Sequence, residues 1–67
     1  MIRLNGQESD VRPGETVAAV LRRLEVPPEA RGIAVAVDGE VVPRSGWESC
    51  VLSDRADVEV LTAMQGG

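Results

Sequence analysis

Histidine, lysine, phenylalanine and tyrosine are missing from this sequence, and cysteine and tryptophan occur once each, as Cys50 and Trp47. Without histidine and with a single thiol, one copy cannot assemble a tetrahedral zinc site of nitrogen and sulfur ligands, a disulfide framework or a Cys-His nucleophile pair. Nor does any convergent set of acid, base and nucleophile stand out, so self-contained catalysis is not expected and the chain reads as a non-enzyme. There is no apolar run of membrane-spanning length. The opening Met1-Ile2-Arg3-Leu4-Asn5 alternates apolar with polar instead of building the apolar core of a signal peptide. A soluble cytoplasmic protein with no membrane partner is the expectation.

What is present is short and acidic. Sixty-seven residues allow one domain and one small core, and such a domain without disulfide or metal rarely nets more than roughly 3–5 kcal/mol from its core. Seven arginines against eleven acidic residues give a net charge of −4, the wrong sign for a phosphate backbone, so no nucleic-acid partner is expected. Basic protein surfaces suit this charge, which also simply promotes solubility.

Ile2 and Leu4 alternate with Arg3 and Asn5 in the period of a half-buried strand, and Asn5-Gly6 is a strong hairpin turn. A second, weaker strand is predicted from Glu8 to Arg12 with Val11 inward, ended by Pro13-Gly14. Val17, Val20, Leu21 and Leu24 then fall at i, i+3, i+4 and i+7, one stripe of an amphipathic helix. Thr16 is placed to cap its start, and Arg22 and Arg23 complement its negative end. Pro27-Pro28 forbids continuation, and residues 25–32 read as a loop. Ile33-Ala34-Val35-Ala36-Val37 suits an interior strand covered on its Ile/Val face. Asp38-Gly39 turns the chain, Val41-Val42 continues briefly and Pro43 stops the pairing. Val51-Leu52 is a candidate short strand, and Val58-Glu59-Val60-Leu61-Thr62 is the last, with Val58 and Val60 inward.

The predicted core is therefore Ile2, Leu4, Val11, Val17, Val20, Leu21, Leu24, Val35, Val37, Val58 and Val60. The order ββαβ followed by ββ suits an α+β fold in which a mixed sheet of four to five strands is covered by one helix, the β-grasp (ubiquitin-like) arrangement. One domain over residues 1–62 would be followed by a flexible tail, 63–67, that has nothing left to pair with.

Four stretches together resemble the sulfur-carrier family of thiamine biosynthesis, ThiS. They are residues 2–6, the segment from Gly14-Glu15-Thr16-Val17 through Leu24, the run Ala34-Val35-Ala36-Val37-Asp38-Gly39-Glu40-Val41-Val42-Pro43-Arg44 with Trp47 nearby, and the ending Val58-Glu59-Val60-Leu61-Thr62-Ala63-Met64-Gln65-Gly66-Gly67. Val-Val-Pro-Arg with a nearby Trp is the more specific signal. A terminal Gly-Gly is shared with the molybdopterin-synthase small subunit, other sulfur carriers and ubiquitin. Two positions depart from the family: Arg55-Ala56 stands where Gly-Asp is usual, and Asp38 where Asn is common.

The resemblance implies a cycle in which a ThiF-like enzyme uses MgATP to adenylate the Gly67 carboxylate. A persulfide, such as that of a cysteine desulfurase, then supplies sulfur, and the thiocarboxylate serves thiazole synthase. The chain itself would bind no cofactor or metal. It also leaves open a sulfur carrier for molybdopterin or cysteine synthesis, or a β-grasp interaction module whose C-terminus is never modified. Gly66 and Gly67, lacking Cβ atoms, suit a narrow channel leading to a nucleotide; the plainer reading is that they are merely frayed ends. Leu61 and Met64 read either as a small apolar partner dock or as caps on the core edge. Trp47 reads as a core or loop anchor rather than a contact, Arg44 as a solvated charge, and Cys50 as a small apolar filler to which no role is assigned. The absence of lysine is explained by codon bias, or by the advantage to a chain with an activated C-terminal acyl group of having no side-chain amine to attack it.

Overall fold

The computed structural model describes residues 1–27 and 29–62. Its elements are β1 (Arg3–Leu4), β2 (Gln7–Glu8), α1 (Val17–Arg23), β3 (Ile33–Val37), β4 (Glu40–Val42), a 3-10 turn (Arg44–Gly46) and β5 (Asp57–Thr62). The strands form one mixed sheet in the order β2-β1-β5-β3-β4. β5 is central, parallel to β1 and antiparallel to β3, while both hairpins are antiparallel. This is the predicted β-grasp arrangement, with α1 over one face. Among the described residues, no helix is long and apolar enough to cross a membrane.

Both hairpin turns form where the sequence places them. Asn5 and Gly6 have φ of 53° and 81°, and Asp38 and Gly39 have 52° and 84°, so each pair supplies the two left-handed residues that a tight hairpin twisted like its strands requires. The second strand is shorter than expected. It stops at Glu8, and Ser9 to Arg12 leave the sheet, with the Ser9 hydroxyl donating to Ile2 O at 3.0 Å and accepting from Val11 N–H at 3.3 Å. Val11 is buried all the same.

α1 begins as predicted at Thr16, whose side chain accepts from Ala19 N–H at 3.1 Å. The N–H groups that a helix start leaves unpaired find distant partners: Val17 N–H donates to Cys50 O at 3.0 Å and Ala18 N–H to Trp47 O at 2.9 Å. The segment after β4 is thereby tied to the helix N-terminus. The candidate strand at Val51-Leu52 reduces to a single bridge between Thr16 and Val51, because this backbone is committed to the helix start.

The core comprises Ile2, Val11, Val17, Val20, Leu21, Val35, Trp47, Leu52, Ala56 and Val58, with Leu4, Val37 and Val60 partly buried against it. Leu24 is a correction, being exposed. It is the C-cap, after which Glu25 swings to φ 61° and Val26 N–H returns to Leu21 O at 2.9 Å, with Glu25 N–H on Arg22 O at 3.0 Å. That is the Schellman closure, whose accompanying apolar contact lies one turn back. Val26, packed against the core, closes the helix end instead of Leu24. Trp47 is the predicted anchor, its indole N–H donating to Val42 O at 2.9 Å. Leu52 and Ala56 are core residues that the periodicity did not reveal.

Candidate functional site: the C-terminal end of the central strand

β5 is the last element among the described residues, and its two neighbours treat its two ends differently. Near its start it is held on both sides. Arg3 and Leu4 pair with Asp57 and Val58, while Asp38 accepts from Asp57 N–H through its carboxylate at 3.0 Å and donates its own N–H to Asp57 O at 2.8 Å. Farther along, β1 ends and the Asn5 side chain takes over, its Oδ1 accepting from Val60 N–H at 2.8 Å. Asn5 and Asp38 thus each do two things: they adopt the left-handed turn conformation that short polar side chains tolerate, and they extend the hydrogen bonding of β5. The change from the family's usual Asn to Asp38 keeps both properties.

Beyond Val60 only β3 remains as a partner, through Ala34 opposite Leu61 and Ile33 opposite Thr62. Strand alternation sends Val58 and Val60 towards the helix and Glu59 and Leu61 to the other face, where their cross-strand neighbours are Ala36 and Ala34. Leu61 is 61% exposed. Val41, opposite Ala36 on β4, is exposed too. The alanines keep this outer face low around Leu61. Met64, Gly66 and Gly67, with the rest of the expected flexible tail 63–67, lie outside the described residues.

The remaining singled-out residues are elsewhere. Arg44 is exposed, as a solvated charge would be, and in addition lies with its guanidinium carbon 4.6 Å from the centre of the Trp47 ring and donates to Ala30 O. Cys50 is half-buried against the core, the filler role. A cleft of about 170 Å³ between α1 and the 3-10 turn is lined by Leu21, Val26 and Trp47 among others, none of them from β5.

At the opposite pole, the turn before β5 is built on Arg55, with φ 69°, in the segment where the family usually has Gly-Asp. Ala56 is buried, and its carbonyl accepts from Arg3 N–H at 2.9 Å. Asp54 binds the Met1 ammonium group, and that hydrogen bond and its charge hold the carboxyl below the ordinary carboxylate range.

With this geometry in place, the ThiS family model matches residues 2–67. The chain belongs to the ThiS family. Its structure is similar to the crystal structure of a thiamine biosynthesis protein (ThiS) from Geobacter metallireducens, with 29% identity, a TM-score of 0.75 and coverage of 98% of this chain and 97% of that one. The NMR structure of a thiamine biosynthesis protein from the same organism is similar at 32% identity and a TM-score of 0.75, covering 98% of this chain and 86% of that one. No curated protein matches the chain significantly.

Proposed function

We propose that this ThiS-family chain is a sulfur carrier for the thiazole ring of thiamine, working through the carboxylate of Gly67. The observation that carries the reading is the family match, which runs through Gly66 and Gly67 instead of stopping at the end of β5. A carboxylate at neutral pH is a poor acyl donor; adenylation turns its oxygen into a leaving group that sulfur displaces. A ThiF-like enzyme with MgATP performs the first step. The outer sulfur of a persulfide donor then bonds to the carbonyl carbon as AMP leaves. A thiol cleaves the resulting S–S bond to free the thiocarboxylate and is itself oxidised to a disulfide, and thiazole synthase takes the sulfur from the thiocarboxylate. The chain is a co-substrate of these partners, holds no cofactor of its own, and offers Gly66 as the narrow residue of the tail and Leu61 with Met64 as an apolar dock.

Intact-mass measurement after incubation with a ThiF-like enzyme, MgATP, a persulfide donor and a thiol reductant tests the reading. The full chain should exchange one oxygen for sulfur. Deletion of Gly67 should abolish the exchange, and Gly66→Ala should slow it by crowding the backbone. Conversion of the Gly67 deletion as efficiently as the full chain would rule the carrier mechanism out. An unreactive full chain points to an interaction module, and reaction only with the adenylating enzyme of another route points to a carrier for molybdopterin or cysteine synthesis.

A further inference from the structure

We propose that Asn5 is a deamidation site that the hairpin of β1 and β2 holds closed, and that its conversion to isoaspartate removes a support of β5 just before the strand's last two residues. Asn5 is the one asparagine of the chain and is followed by Gly6. Asparagine is among the thermolabile residues, and before glycine its chemistry needs nothing but water. The Gly6 nitrogen gives up its proton and bonds to the Asn5 carboxamide carbon, the bond from that carbon to the amide nitrogen breaks, and ammonia leaves with the proton. A five-membered succinimide remains. Water opens it at one carbonyl to give aspartate, or at the other to give isoaspartate, in which the main chain runs through the former side chain and is one methylene longer.

Both residues are exposed, and a Cβ added at Gly6 would meet nothing within 4 Å, so solvent and base reach the attacking nitrogen. What holds the reaction back is conformation. The ring requires the carboxamide carbon to swing onto the Gly6 nitrogen, and closing it fixes ψ of Asn5 outside the left-handed region that the turn uses. In the fold the carboxamide is engaged elsewhere: its Oδ1 accepts from Val60 N–H and the Asn5 N–H donates to Val58 O, both at 2.8 Å. Cyclisation therefore waits for the turn to open. The element that keeps it closed is slight, since β2 is a two-residue edge strand with both residues exposed, and such edges open locally without the core. The two products differ. Asp38 has the same left-handed conformation in the other hairpin turn, and its carboxylate accepts from Asp57 N–H, so aspartate at position 5 keeps both the turn and the tie to β5. Isoaspartate keeps neither: its extra methylene lengthens the turn, and its carboxylate, one carbon shorter, is withdrawn from Val60. From Val60 onward β5 then rests on β3 alone.

In the test the full chain is incubated in mildly alkaline buffer, folded in one sample and unfolded in urea in another. Products are read by intact mass, peptide mapping and labelling with a protein isoaspartyl methyltransferase. Loss of ammonia and gain of water at Asn5 should be at least about tenfold slower in the folded sample, and Asn5→Asp should show no change in mass. Gln7→Pro takes a backbone N–H out of β2 opposite Leu4 and should raise the folded rate severalfold relative to its own rate in urea. Gln7→Gly replaces it if circular dichroism shows the proline variant unfolded. Hydrogen exchange at Val60 N–H should be about tenfold faster or more in the purified isoaspartate form, and near natural in Asn5→Asp. Deamidation of the folded chain as fast as in urea, or a folded β2 variant with an unchanged ratio, overturns the gate. Absence of deamidation in urea overturns the site itself, and a Val60 amide equally protected in the isoaspartate form overturns the consequence for β5.

Discussion

Among the described residues, four other than glycine occupy the left-handed region: Asn5, Glu25, Asp38 and Arg55. Two of them have side chains suited to it, and Asn5 and Asp38 recover the cost by hydrogen bonding to β5. Glu25 and Arg55 have no such compensation, and a side chain with a Cβ costs roughly 1–2 kcal/mol there. Glycine loses about 0.5–1 kcal/mol through its greater freedom in the unfolded chain, so Glu25→Gly and Arg55→Gly should each stabilise by about 0.5–1 kcal/mol. In a domain of this size that raises Tm by roughly 2–8 °C. An unchanged or lowered midpoint in both variants would show that the strain is already relieved. The same residues explain how much was legible one position at a time. Asn5-Gly6 and Asp38-Gly39 announce their turns because residue type and conformation agree. Arg55 announces nothing, and only the departure from the family's Gly-Asp marked its segment.

At the scale of elements, α1 was readable because two independent signals coincide, the apolar spacing of Val17, Val20 and Leu21 and a threonine placed to cap it. The spacing overran by one residue because periodicity contains no information about where the backbone reverses: Leu24 keeps the helical phase, yet Glu25 ends the helix and Val26 folds back towards Leu21. The segment carrying Trp47, Cys50 and Leu52 was least legible. Its backbone serves the N–H groups of Val17 and Ala18, a pairing between distant parts of the chain that leaves no periodic trace. Thr16 joins the two halves of this junction, bridging to Val51 and capping Ala19. Thr16→Ala should cost about 1 kcal/mol, read as a lower midpoint in urea with an unchanged slope, and Thr16→Ser should recover most of it because the hydroxyl remains. Equal loss in Ser and Ala variants would assign the effect to the threonine methyl rather than to the cap.

For the molecule as a whole, the sheet separates folding from the candidate site by face and by end. One face holds the core, the other keeps small alanines beside Leu61, and the central strand is paired by β3 alone at its last two residues. Sequence periodicity put Leu61 out of phase with Val58 and Val60 but could not say whether anything covers it; the register settles that, because no helix or loop among the described residues lies over that face at Leu61, which is 61% exposed. Leu61→Asp should therefore change stability by no more than about 1 kcal/mol, the span of strand preferences at an exposed position. Its effect on the adenylating partner should be larger. A carboxylate placed where an apolar side chain is buried on binding must be desolvated without a partner, and loss of a central apolar anchor costs about 2 kcal/mol or more, at least tenfold in Kd. Val41→Asp is the matched control, on the same outer face but on the edge strand β4, away from the end of β5. Weaker binding by Leu61→Asp with near-normal binding by Val41→Asp places the dock at the base of the tail. Equal losses extend the dock across the outer face, and undiminished binding of a folded Leu61→Asp chain removes Leu61 from the interface and leaves recognition to the tail.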